Sequence, residues 1–198
     1  TGSKIISRKY GLKFLSSGLI YRYAGQQLLK YKPKNKIKFL KLKFKNLNYN
    51  KINKINLHSS RISEYTSIIA KQKKIRNILK KFQQDFASKH KRVCIEGRDI
   101  GTVILPKADL KFFFICNLKI AAKRRFKELK KKNKFLKFKN VKKELQNRNL
   151  RDVSRKNSPL LKSPDAVIVD TGKTRNITMM INKMSKYMDR KILDKYGS

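Results

Sequence analysis

The 198-residue sequence predicts an α/β fold built on a parallel sheet. Three observations point there. Short apolar runs of strand length alternate along the chain with longer segments of helical spacing. Those runs end on polar residues or glycine, as in Glu96-Gly97-Arg98-Asp99 and Asp170-Thr171-Gly172. The run from Lys111 to Cys116 is uninterrupted in its apolar part, the pattern of a parallel strand buried on both faces. With 39% hydrophobic and 10% aromatic residues the chain has material for a core, which excludes wholesale disorder and fits one compact domain with a small insert.

The elements follow in order. Lys4 to Lys9 reads as part of a helix, with Gly11 where a C-cap favours glycine. Leu12 to Leu15 is a short strand, Ser16-Ser17-Gly18 a turn, and Leu19 to Tyr31 a helix with Leu19, Tyr23, Leu28 and Leu29 at its apolar positions. Pro33 to Asn56 is rich in Lys and Asn; Ile37, Phe39, Leu40, Leu42 and Phe44 there suit a small element of either kind, helix or strand. Ser60 to Ala87 has a long helical pattern that breaks near Lys71 to Lys74, with Ile68, Ile69, Ile75, Ile78, Leu79 and Phe82 inward. Strands are expected at Arg92 to Ile95, Lys111 to Cys116 and Ala166 to Val169, and helices at Lys119 to Lys132, Asn140 to Asp152 and Ile177 to Met188. No internal repeat is visible. Cys94 and Cys116 lie in the β-type runs without metal-ligand spacing and read as buried reduced thiols.

The chain carries 53 Lys+Arg against 12 Asp+Glu, a formal charge of +41. Such a surplus invites nucleic acid, but the lysines are spread along the sequence and mixed with Asn and Ile, as an A+T-rich coding bias would leave them. They read as solvated surface, and nucleic-acid binding is not expected. No apolar run approaches the roughly 20 residues of a membrane span, and Thr1-Gly2-Ser3-Lys4 carries no export pattern. The expected compartment is the cytoplasm and the expected state a monomer. The 13 arginines are more informative, because a planar fork suits bidentate phosphate binding. Ligands of open α/β sheets sit at the carboxyl ends of the strands. The polar residues there are Ser16, Ser17 and Arg22, then Glu96, Arg98 and Asp99; a third group is Arg148, Arg151, Asp152 and Arg155. Twelve acidic residues are too few to pair so many cations, so an anionic ligand is expected.

These motifs resemble a known family. Leu15-Ser16-Ser17-Gly18-Leu19-Ile20-Tyr21-Arg22 is similar to the Leu-Asp-Ser-Gly-Ala-hydrophobic-Tyr-Arg segment of bacterial cytidylate kinases, and Glu96 to Val103 to their Asp-Gly-Arg-Asp-hydrophobic-Gly-Thr-Val. Arg148 to Arg155, followed by Ser158-Pro159-Leu160, resembles their arginine-rich lid, and Ala166 to Thr171 the strand that follows it. The resemblance implies a P-loop kinase fold, three layers α/β/α with a parallel sheet of order 2-3-1-4-5, a small insert for the nucleoside monophosphate and a helical lid. It implies residues 1–31 and 76–198 as the kinase core, with the lid at about 148–158, and 32–75 as the insert.

It also implies roles. ATP with Mg²⁺ would phosphorylate CMP or dCMP. Arg22, Arg98, Arg151 and Arg155 would handle the phosphates, and Arg148 and Asp152 the sugar. Ser67, Arg76 and Asp99 would read the base, with Ser17 a substrate contact. A carboxylate accepting from the cytosine amino group, beside an arginine donating to N3 and O2, suits cytosine and mismatches uracil. The same residues have plain structural roles available: Ser17 or Asp99 as a helix cap, Arg76 as a solvated helix residue. Two positions depart from the family pattern, Ser16 and Glu96 each standing where the family has Asp; Glu96 keeps the charge and would hold Mg²⁺ through water. Counting back from Ser17 places Thr1 on the terminal Thr of the loop Gly-x-x-x-x-Gly-Lys-(Ser/Thr), a ligand of ATP-bound Mg²⁺. The loop's glycines and lysine and the first, central strand would then lie upstream, and the chain alone would be unstable and inactive. The other readings are a basic RNA-binding protein on a kinase-like remnant, a catalytically dead relic, and a kinase for another nucleoside monophosphate.

Overall fold

The computed structural model describes residues 2–52, 55–131, 134–174 and 176–197. The chain divides into two compact units, one over Ser3–Ile100 and one from Gly101 onward.

The first unit begins with helix α1 (Gly2–Lys9), which stops where Gly11 takes φ +61°, the left-handed conformation glycine adopts without a Cβ penalty. Strand β1 (Lys13–Ser16) leads directly into α2 (Ser17–Tyr31). The Lys/Asn-rich segment forms two helices, α3 (Lys36–Lys45) and the single turn α4 (Tyr49–Ile52). Asn35 caps α3 by accepting from the Lys38 N–H at 2.9 Å. The break expected near Lys71 separates α5 (Ser60–Ile69) from α6 (Lys73–Ser88), and the Ser59 side chain caps α5. Strand β2 (Val93–Glu96) pairs parallel with β1, in register from Lys13 opposite Val93 to Ser16 opposite Glu96.

One core holds this unit together. Leu15 of β1, Ile20, Ala24 and Leu28 of α2, Leu40 and Phe44 of α3, Ile52 of α4, Ile69 of α5, and Ile75 and Leu79 of α6 form a single buried cluster. Full burial of each large aliphatic side chain contributes roughly 1.5–3 kcal/mol. The Lys/Asn-rich segment is therefore packed into the core of the unit.

In the second unit a π-helical turn, Ile100–Ile104, crosses from the first and is followed by β3 (Phe112–Ile115), α7 (Leu118–Lys130), α8 (Phe138–Ser154), β4 (Val167–Asp170) and α9 (Ile177–Tyr196). Strands β3 and β4 are parallel, from Phe112 opposite Val167 to Ile115 opposite Asp170. Helices α8 and α9 run longer than the sequence predicts. The buried apolar set is smaller: Ile104, Ala122, Val141, Val169, Met180, Ile181 and Met184. Lys111 is buried ahead of β3; its Nζ donates to Asp165 Oδ2 at 2.7 Å, Pro106 O at 2.5 Å and Ser163 Oγ at 3.4 Å.

The strands thus form two parallel ladders, β1-β2 and β3-β4. Among the described residues each ladder has two strands, and both are parallel, as expected of an α/β fold. Two expectations are corrected. Strand β3 is not buried on both faces: Phe114 and Ile115 are 41% and 40% exposed, because among the described residues β3 pairs only with β4. Cys94 and Cys116 are free thiols as expected but only partly buried; burial pushes the Cys94 thiol above its ordinary value.

Candidate functional site

In the first unit the site grows from the register of β1 and β2. Ser16 lies opposite Glu96, so both strands reach their carboxyl ends together. Ser17 opens α2 at that point and is buried, 4% exposed. The chain leaves β2 through Gly97, where a Cβ would stand 2.9 Å from the Ser17 Cβ and 2.7 Å from the Ile100 Cδ1. Only glycine allows this close passage. Arg98, half-buried, and Asp99, buried, follow directly.

Arg22 lies one turn and a half into α2. Its Nη1 donates to the Leu57 carbonyl at 3.2 Å and to the Ser63 Oγ at 2.6 Å, tying α2 to α5 and the segment before it. Arg76 and Asp99 are brought together. The Arg76 Nη2 donates to the Asp99 Oδ2 in an ion pair with both side chains under a tenth exposed. Its Nη1 donates to the Ala70 carbonyl at 3.1 Å, and its guanidinium carbon stands 5.6 Å from the Tyr21 ring centroid, within cation–π reach. Arg76 is thus neither exposed nor solvated, which corrects the plain structural role open to it, and Asp99 meets its charge. The N-cap of α2 is Ser16, not Ser17, and its side chain makes no capping bond. Ser67, near the end of α5, donates to the Glu64 carbonyl at 2.7 Å.

The third group lies in the second unit. Asp152, late in α8, accepts from Arg155 Nη1 at 3.2 Å, with Arg148 Nε 4.0 Å from its other oxygen. Arg155 also donates through Nε to the Ser158 carbonyl, while its Nη2 is buried without a hydrogen-bond partner. Ser158 sits at φ +54°, which turns the chain sharply after the helix, and the Leu160 N–H closes on the Asp152 carbonyl at 2.7 Å. Arg151 points its Nε at the Asn147 carbonyl on the exposed side.

Among the described residues no three His, Cys, Asp or Glu side chains gather into a metal cage. Glu96, half-buried at the end of β2, is a single carboxylate. That suits Mg²⁺, which keeps several waters and takes one or two carboxylates alongside substrate phosphates. Thr1, the other expected metal and cofactor residue, lies outside the described residues.

Several participants escape a reading of the sequence. Tyr49 accepts the Ser16 N–H, Leu57 and Ser63 hold Arg22, and the Ala70 carbonyl holds Arg76. Tyr49 and Leu57 lie in or beside the Lys/Asn-rich segment, and Ser63 and Ala70 in the helical stretch that follows it. Tyr21 is the exception, since it adjoins Arg22 in a motif and was open to recognition there.

The model of the cytidylate kinase family matches residues 1–190. A cytidylate kinase of Thermosipho melanesiensis is 36% identical over 181 residues, covering 86% of this chain and 82% of that protein. One of Bartonella tribocorum is 35% identical over 176 residues, covering 86% and 80%. One of Clostridium tetani is 33% identical over 214 aligned positions, covering 100% and 91%. Among the described residues no helix is long and apolar enough to cross a membrane.

Proposed function

The chain belongs to the cytidylate kinase family, a family of phosphotransferases, and from that premise we propose that its reaction moves the γ-phosphoryl of ATP to CMP or dCMP, giving ADP and CDP or dCDP. The observation that carries the choice of base is the buried pair of Arg76 and Asp99. A guanidinium has five N–H donors, and Asp99 and Ala70 account for two of them here. Donors thus remain for N3 and O2 of cytosine, while the Asp99 carboxylate accepts from the 4-amino group. Uracil offers an N3–H and an O4 acceptor at those edges and meets both partners wrongly.

On this reading Arg22 and Arg98 bind the monophosphate, with Ser17 beside it at the strand end. Ser67 assists base reading. Residues 32–75 form the monophosphate insert and about 148–158 the lid. There Arg148 and Asp152 take the sugar, and Arg151 and Arg155 the transferring phosphoryl group. Phosphoryl transfer is mostly positioning and charge stabilisation, so these arginines supply its main requirement. Mg²⁺, when bound, would neutralise charge developing on the phosphate oxygens, and Glu96 would hold it through water. The 198 residues contain no Gly-x-x-x-x-Gly-Lys-(Ser/Thr) sequence.

Titration calorimetry of the 198-residue chain with CMP, and with a single-stranded RNA at two salt concentrations, tests the proposal. One-to-one CMP binding that Arg98→Ala abolishes supports it. RNA binding that falls steeply with salt, ignores Arg98→Ala and is unaccompanied by CMP binding overturns it in favour of an RNA-binding role.

A further inference from the structure

Tyr49 belongs to the four-residue helix α4, within the segment that matches the family motifs least, yet its hydroxyl reaches the strand end that carries the substrate residues. The Tyr49 Oη accepts the Ser16 N–H at 2.7 Å. Tyr49 is 6% exposed. Strand β1 pairs only with β2 among the described residues, so its other edge carries backbone groups that need partners from outside the sheet. Tyr49 supplies one at the last residue of the strand.

The contact is placed where it matters. Ser16 is the N-cap of α2, has no side-chain capping bond, and departs from the family's Asp. Ser17 follows it, and Arg22 lies one and a half turns on. A phenol oxygen that accepts one bond still has its own proton to give. Burial raises the Tyr49 hydroxyl above its ordinary 10.0; the Ser16 bond opposes this, and the charge of Glu96, opposite Ser16, adds to it. The ring has independent support. It meets Phe86 edge-on with centroids 5.8 Å apart, and it lines a cavity of about 340 Å³ with Phe14, Phe44 and Phe82. Removing the hydroxyl alone therefore leaves the packing in place.

We propose that Tyr49 is a positioning residue for the monophosphate: its hydroxyl fixes the β1–α2 junction, and through it the approach of Ser17 and Arg22 to the phosphate. The assignment rests on CMP being the ligand. It predicts that the hydroxyl matters to the phosphate end and not to the base.

Tyr49→Phe tests it, with two readouts on the 198-residue chain: amide exchange at Ser16, and titration with CMP and with cytidine. The expected result is Ser16 exchange about tenfold faster. CMP affinity should fall about fivefold, the effect of one lost hydrogen bond of ordinary strength, with cytidine affinity unchanged. Equal weakening of CMP and cytidine marks a merely structural role and overturns the assignment. So does unchanged CMP affinity in a variant whose Ser16 amide exchanges faster. Failure of the unmodified chain to bind CMP at all overturns the underlying functional reading instead, and the assignment with it.

Discussion

Arg76 and Asp99, 23 residues apart in sequence, form an ion pair in which each side chain is less than a tenth exposed, and the same guanidinium donates to the Ala70 carbonyl. Taking both charges out of water costs several kcal/mol per ion, which their attraction does little more than offset. As a source of stability such a pair returns little. On the proposed reading its value lies in recognition, as a preformed donor–acceptor edge for cytosine, with Tyr21 within cation–π reach of the guanidinium.

Breaking the pair from one side is expected to be costly. Asp99→Ala leaves a buried guanidinium without its counter-charge and should lower the unfolding free energy by about 3–5 kcal/mol. The double variant Arg76→Met/Asp99→Leu should recover most of that loss. Urea unfolding of the three proteins checks both statements; a double variant no more stable than Asp99→Ala would contradict them.

Arg22 reaches two acceptors at once, the Leu57 carbonyl and the Ser63 hydroxyl, and Ser63 in turn donates to the Ser59 carbonyl at 2.9 Å. A lysine ammonium, a point charge on a flexible stem, does not make the bidentate contact that a guanidinium makes with phosphate. Arg22→Lys should weaken CMP by about tenfold and leave cytidine unchanged, since a charge-assisted bond to phosphate is what is lost. Comparative titration reads it directly.

In the second unit Asp152 holds Arg155, whose Nη2 is already buried without a hydrogen-bond partner. Asp152→Ala removes the main counter-charge, and the turn through Ser158 should open more often. Trypsin cleavage after Arg155, followed by mass spectrometry, is expected to speed up about tenfold. An unchanged rate would show that the backbone bond from Leu160 to Asp152 holds the segment by itself.

The Lys111 contact gives a pH signature. Hydrogen bonds from Lys111, then Ser163, hold the Asp165 carboxyl below its ordinary 3.8. A carboxylate whose folded pKa is depressed contributes stability that is complete above its unfolded pKa and is lost as pH falls through the folded one. The stability difference between the unmodified chain and Asp165→Asn should therefore be constant at neutral pH and shrink only below the ordinary carboxylate range. Melting temperatures across the acid range measure it.

The α/β alternation was legible because the strands are short apolar runs that end on polar residues; each observed strand lies within a residue or two of the expected one. The insert was not. In Lys36–Lys45 apolar residues alternate with lysine closely enough to suggest a strand, and only burial separates the two readings. Leu40 and Phe44, four apart, are 0% and 5% exposed while Leu42 is 64% exposed, which is a helical face. The site shows the same division. Arg98 and Asp99 announce themselves in a motif, whereas Tyr49, Ser63 and the carbonyls of Leu57 and Ala70 act through tertiary contacts or the main chain and leave no pattern to read.

The most direct measurement is the affinity of the 198-residue chain for CMP against UMP, taken alongside the Arg76→Met/Asp99→Leu variant. CMP should bind about tenfold or more tightly than UMP, because uracil leaves the buried pair mismatched, and the double variant should lose that preference while remaining folded. Equal affinity for CMP and UMP in the unmodified chain, or a preference that survives in the double variant, would contradict the assignment of Arg76 and Asp99 to the base.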